Sequence, residues 1–122
     1  MSGKYREWLD YLYGLESHGI VFGLANIRNI LKSLGNPHEK LRTIHIGGTN
    51  GKGSTAAMIH AILSRCGYRV GLYTSPHLIS FTERIRIDGR EITEGEVVRL
   101  TEQIRGAIRK RGIPETFTFF DF

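Results

Sequence analysis

A single cysteine, Cys66, occurs in the 122 residues. An internal disulfide is excluded, and a lone thiol agrees with a reducing compartment. Cys66 stands among Ile62, Leu63 and Tyr68, which predicts a buried structural thiol rather than a reactive one. No apolar run approaches the ~20 residues that a membrane span requires, so no membrane partner is expected. The opening Met1-Ser2-Gly3-Lys4-Tyr5-Arg6-Glu7 lacks the apolar stretch of a secretory signal, and the expected location is cytoplasmic. The histidines (His18, His38, His45, His60 and His77) fall at no metal-ligand spacing. Internal repeats and low-complexity segments are absent as well.

What is present is ordinary for a globular chain of at most one domain. Hydrophobic residues make up 40% and charged residues 24%, which excludes a disordered polymer. The net charge of +5 suits nucleic acid or a phosphorylated small molecule. The cations are spread along the chain. Their tightest group, Arg109-Lys110-Arg111, falls at a predicted helix C-terminus, where cations offset the macrodipole. No nucleic-acid partner is expected.

Tyr5, Trp8, Leu9 and Leu12 give residues 2–15 a helical period, and Leu24, Ile27, Leu31 and Leu34 give a second stripe that Gly35 stops. Thr43 to Ile46 reads as a buried parallel strand. A helix follows from Gly53 to Arg65, apolar almost all round, and is expected to be covered on both sides. With a second strand over 69–73, this predicts a βαβ unit. Polarity alternates from Arg84 to Ile92 around Asp88-Gly89, a β-hairpin signal. Thr93 and Glu96 form a capping-box pattern for a last helix with Val97, Leu100, Ile104 and Ile108 as its stripe. Four phenylalanines in the last six positions want a core, and two parallel strands make a poor sheet. The chain is therefore expected to be part of something longer.

The chemistry concentrates in Ile46-Gly47-Gly48-Thr49-Asn50-Gly51-Lys52-Gly53-Ser54-Thr55. Gly47, Gly48, Gly51 and Gly53 permit positive φ and close approach of the backbone to a ligand. Successive N–H groups and a helix N-terminus then favour anionic oxygens. Lys52 is the one charge in the loop, and Ser54 and Thr55 offer hydroxyls to a phosphate or its Mg²⁺. The standard G-x-x-x-x-G-K-[ST] pattern is not met, because Gly53 follows Lys52 and Ser54 comes one place later. The dinucleotide fingerprint G-x-G-x-x-[GA] is met by Gly51 to Ala56, but positions 66–82 contain no Asp or Glu for a ribose. Thr74-Ser75-Pro76-His77 follows the second strand, where open α/β sheets bind ligands; an ordinary turn accounts for it equally well. His77 by itself reads as structural or solvated.

Gly48-Thr49-Asn50-Gly51-Lys52-Gly53-Ser54, Thr74-Ser75-Pro76-His77-Leu78 and Glu83-Arg84-Ile85 together resemble the folylpolyglutamate synthase/dihydrofolate synthase family of the ATP-dependent Mur-ligase superfamily. Leu34-Gly35-Asn36-Pro37 and Val70-Gly71-Leu72-Tyr73 resemble it too. The resemblance runs from about Tyr11 to Phe122, and the displaced lysine loop is the family's own form. It implies an α/β fold: a P-loop-type parallel sheet with flanking helices, preceded by two helices and carrying a β-hairpin. Residues 1–122 would be the N-terminal portion of the ATP-binding domain of a monomeric enzyme. The implied activity is ligation of L-glutamate to dihydropteroate or folate through an acyl phosphate, with ATP and Mg²⁺. The implied site is Gly48, Thr49, Asn50, Gly51, Lys52, Gly53, Ser54 and Thr55 for the phosphates, Lys52 at the β and γ oxygens, and Ser75 on the metal. Thr118, Phe119, Phe120 and Asp121 would line a pterin pocket, with Asp121 where the family more often has Glu. Glu16, Ser17 and His18 would lie in a substrate-contacting loop. The remaining Mg²⁺ ligands and the glutamate site would fall beyond Phe122, so the chain alone is expected to be inactive. Another Mur-type amino-acid ligase and a nucleotide-binding module without catalysis are the alternatives.

Overall fold

The computed structural model describes residues 2–15 and 23–113. Two compact units divide the chain, one formed by Met1–Arg42 with Glu94–Phe122 and the other by Thr43–Thr93.

The first unit is helical. Helix α1, Gly3–Gly14, starts where the Ser2 hydroxyl accepts the Tyr5 N–H at 3.2 Å, filling one of the unpaired donors of the first turn. Helix α2, Ala25–Ser33, ends as expected. Gly35 has φ 83, Asn36 has φ 52, and the Asn36 N–H returns to the Leu31 carbonyl at 2.8 Å. Pro37 then opens a 3₁₀ turn, Pro37–Lys40. The longest helix, Glu94–Lys110, carries Glu94 and Glu96 in its first turn and Arg109 and Lys110 in its last, the polarity its dipole favours. It follows the second unit's helix in the chain and is therefore α4. Both α1 and α2 pack on α4. The core is Tyr5, Leu12, Leu15, Ile30, Val97, Val98, Thr101 and Ile108. Two details depart from the sequence pattern. Ile30, and not the predicted α2 stripe, is the buried residue of that helix, and Leu100 is 37% exposed while Val98 and Thr101 turn inward. Thr101 tolerates burial because its hydroxyl donates to the Val97 carbonyl at 2.8 Å.

The second unit holds α3, Lys52–Arg65, and a three-stranded sheet of β1 (Gly71–Tyr73), β2 (Ile85–Ile87) and β3 (Arg90–Glu91), with a 3₁₀ turn over Phe81–Arg84. Asp88 and Gly89 join β2 to β3 with φ 49 and 80, the paired positive values of a type I′ turn. Asp88 also ties in the approach to β1. Its carboxylate accepts the Val70 N–H and its own N–H donates to the Val70 carbonyl, both at 2.9 Å.

The parallel sheet expected from the sequence is not what forms among the described residues. Gly71–Tyr73 pairs antiparallel with Ile85–Ile87, in the register Gly71↔Ile87, Leu72↔Arg86, Tyr73↔Ile85. Thr43 to Ile46 joins no ladder, and Ile44 is 62% exposed. The hairpin is local in sequence and supplies β1 with a ready antiparallel edge. A parallel strand needs a neighbour brought from a distance, and no described residue provides one for 43–46. Helix α3, predicted to be covered on both sides, has no buried residue. Cys66 at its end is exposed, not buried, because apolar neighbours in sequence do not amount to a covering layer.

Candidate functional site

The glycine loop leads straight into α3. Gly51 is the N-cap, with φ 75, and has no side chain to cap the helix; the first turn holds no acid. Thr55 N–H bonds to Gly51 O at 2.9 Å, so the first-turn amides of Lys52, Gly53 and Ser54 precede the regular ladder and lack a side-chain cap. Such amides with the helix dipole behind them form an anion site. Gly48 has φ 150. The Lys52 side chain folds back over it, with Cγ 3.8 Å from where a Cβ on Gly48 would stand. Lys52 has no carboxylate partner among the described residues.

The four glycines differ in what they require. Gly48 and Gly51 need their positive φ, whereas Gly47 and Gly53 do not have it. Gly53 lies inside α3, and a Cβ there would meet nothing within 4 Å. Neither backbone conformation nor packing within the chain calls for glycine at 53, and helix propensity disfavours it by up to about 1 kcal/mol relative to alanine. Space kept clear beside uncapped amides is the remaining physical reason for it. Ser54 and Thr55 are exposed on the same turn.

Ser75 is carried by the loop after β1. Helix α3 packs on β1. Its 14 residues rise about 21 Å, and residues 68–74 can span about 23 Å in return. The path is thus long enough to bring Ser75 back to the level of Gly51. The Ser75–Pro76 peptide is cis. The loop closes where the Thr74 N–H donates to the Arg84 carbonyl at 2.9 Å. His77 is engaged within the protein: Arg84 Nε donates to its Nδ1 at 2.7 Å, and its ring meets Phe81 edge-on at 6.1 Å. The Arg84 guanidinium stands 5.6 Å from the centre of the Phe81 ring.

Glu83 is the residue that the sequence pattern undervalued. Its Oε1 accepts the N–H groups of Ser80 at 2.6 Å and Ile79 at 2.8 Å, and its Oε2 accepts that of Leu78 at 3.0 Å. These bonds, Ser80 first, hold its carboxyl below the usual carboxylate range. The signal was legible: Ser80-Phe81-Thr82-Glu83 is an S-x-x-E capping box, and the structure forms it. Thr82, buried beside it, donates to Glu91 at 2.8 Å.

Glu16, Ser17 and His18, and Thr118, Phe119, Phe120 and Asp121, lie outside the described residues. Among the described residues no three His, Cys, Asp or Glu side chains gather as a metal site, and no helix is long and apolar enough to cross a membrane.

No protein-family model matches the chain. It is 39% identical over 105 residues to the dihydrofolate synthase/folylpolyglutamate synthase of Bacillus subtilis, an overlap of 86% of this chain and 24% of that protein. The crystal structure of folylpolyglutamate synthase from Thermotoga maritima is 47% identical with a TM-score of 0.83, covering 96% of this chain and 27% of that one. A folylpolyglutamate synthase complex with AMPPCP and folate superposes with a TM-score of 0.81 at 34% identity, over 96% of this chain and 29% of that one. The chain thus spans about a quarter of the length of these relatives, matching their N-terminal part. With this coverage and the glycine loop in place, the chain belongs to the folylpolyglutamate synthase/dihydrofolate synthase family.

Proposed function

We propose that the chain is the phosphate-gripping portion of an ATP-dependent ligase that joins L-glutamate to dihydropteroate or folate. Residues 1–122 form the N-terminal part of its ATP-binding domain, and the whole enzyme acts as a monomer. The observation that carries this reading is the uncapped start of α3, with glycine at 53 and Lys52 beside it without a carboxylate partner among the described residues. In this reading Thr43 to Ile46 is a strand of a parallel sheet that longer members of the family complete.

The amides of Lys52, Gly53 and Ser54 and the loop from Gly48 to Gly51 hold the triphosphate in line. Lys52 offsets charge on the β and γ oxygens as the γ-phosphoryl group passes to the substrate carboxylate. ADP leaves, the glutamate amine attacks the acyl phosphate, the amide bond forms and inorganic phosphate departs. The chain's part is positional and electrostatic. Bound Mg²⁺ would supply Lewis-acid neutralisation of the phosphates. The exposed hydroxyls of Ser75, Ser54 and Thr55 are hard oxygen donors suited to it, with Ser75 as the proposed protein ligand.

The whole-length enzyme provides the test. Sustained ADP release over many turnovers should require both glutamate and a pteroyl substrate, and folate should compete with dihydropteroate. Lys52→Ala should abolish turnover, and Ser75→Ala should raise the Mg²⁺ concentration needed for it. Glutamate-dependent turnover retained by Lys52→Ala contradicts the loop assignment. Turnover driven by a cell-wall precursor, with no response to folate, assigns the enzyme to another Mur-type ligase. Purified residues 1–122 should bind ATP without glutamate-dependent hydrolysis.

A further inference from the structure

The loop between Thr74 and Arg84 is fixed at several points, and one carboxylate supplies three of them. Both Glu83 oxygens are occupied by main-chain donors, Oε1 by Ile79 and Ser80 and Oε2 by Leu78. Three consecutive amides turned toward one anion form a nest, and bonds to an ionised acceptor are stronger than neutral ones. A carboxylate engaged in this way is built to hold a loop rather than to move protons. On the other side of the loop, Arg84 holds His77 and the Thr74 N–H closes on the Arg84 carbonyl. Ser75 and Pro76 are the residues left between the sheet ladder and His77.

We infer that Glu83 is a positioning residue for the Ser75 hydroxyl, acting through the shape it imposes on the loop; the inference rests on the role proposed above for Ser75. Loss of the charge weakens the bonds from the Leu78, Ile79 and Ser80 amides, and in Glu83→Gln the NH₂ group replaces one of the two acceptor oxygens, so the loop holds Ser75 less firmly in one place. The charged neighbours are His77 and Arg84 in the loop itself and Arg86 and Glu91 on the packed strands. Glu91 is engaged by Thr82 and by Arg86 at 3.3 Å.

The test is an amide NMR titration of the ¹⁵N-labelled 122-residue chain, wild type against Glu83→Gln and Glu83→Asp. In the wild type the Leu78, Ile79, Ser80 and Ser75 signals should move together as pH falls through a midpoint below the usual glutamate range. In Glu83→Gln that titration should vanish, and exchange at 78–80 should quicken by about tenfold. Glu83→Asp, which keeps the charge, should restore the titration. The inference is overturned if Ser75 gives the same signal in wild type and Glu83→Gln at every pH, because Glu83 is then a local cap only. It is overturned equally if the 78–80 amides ignore the substitution. Should Glu83→Gln fail to fold, the wild-type titration and Glu83→Asp decide the matter alone. The magnesium test of Ser75→Ala is a separate measurement, so either idea can fail without the other.

Discussion

At the scale of single residues, the site is defined by what has been left out. Gly51 cannot cap α3, Gly53 has no Cβ, and Lys52 has no carboxylate partner among the described residues. Gly53→Ala should therefore stabilise α3 by up to about 1 kcal/mol and still weaken ATP binding. Thermal melting and calorimetric titration read the two effects, and a variant that binds ATP as well as the wild type removes the argument for Gly53. Lys52→Ala touches no packed group, so its melting should stay within about 0.5 kcal/mol of wild type. Acid should act through Glu83. Its folded-state pKa lies below its unfolded value, so its contribution is complete above the unfolded value and is lost as pH falls through the lower, folded one. Urea unfolding between about pH 6 and pH 3 should lose stability less steeply in Glu83→Gln than in wild type. Parallel curves would show that Glu83 makes no such contribution. Glu102, lowered first by its hydrogen bond to Lys4 at 2.7 Å, adds in the same direction but is exposed.

At the scale of elements, the ends were more legible in the sequence than the faces. Gly35 with Asn36-Pro37 stops α2, Asp88-Gly89 turns the hairpin, and acids and bases mark the two ends of α4, because each rests on chemistry local to a few residues. Gly89, at φ 80, should lose about 1 kcal/mol as Gly89→Ala, measurable by urea unfolding; an unchanged midpoint would contradict the turn assignment. Burial was harder to read. Thr101 enters the core by bonding its own helix, and Ile30 replaces the expected α2 stripe, since which face turns inward depends on the partner helix. Ile108 is 1% exposed, and Ile108→Ala should cost about 2–5 kcal/mol. Periodicity could not decide whether 43–46 pairs, because a short apolar run does not name its neighbour, and among the described residues it joins no ladder. The residues expected to contact substrate (Glu16, Ser17, His18) and to line a pterin pocket (Thr118, Phe119, Phe120, Asp121) lie outside the described residues, so the legible part of the candidate site is the glycine loop and the loop that carries Ser75.

At the scale of the whole chain, the two units are unequally covered. The helical unit buries Tyr5, Ile30 and Ile108 almost completely. The second unit leaves Ile44, Met58, Ile62 and Tyr73 each about three-fifths exposed or more, and Leu78 and Ile79 above 90%, with nothing buried on α3. Apolar surface of that kind calls for cover. Hydrogen exchange should accordingly be slower in α1 and α4 than in α3. The central proposal is that Gly48 to Thr55 is a phosphate cradle. Its most direct test is an amide NMR titration of the 122-residue chain with ATP, wild type beside Lys52→Ala. The cradle predicts saturable shifts centred on Gly48 to Thr55, with affinity falling about tenfold or more in Lys52→Ala. Shifts scattered elsewhere, or equal affinity in the two proteins, would contradict it.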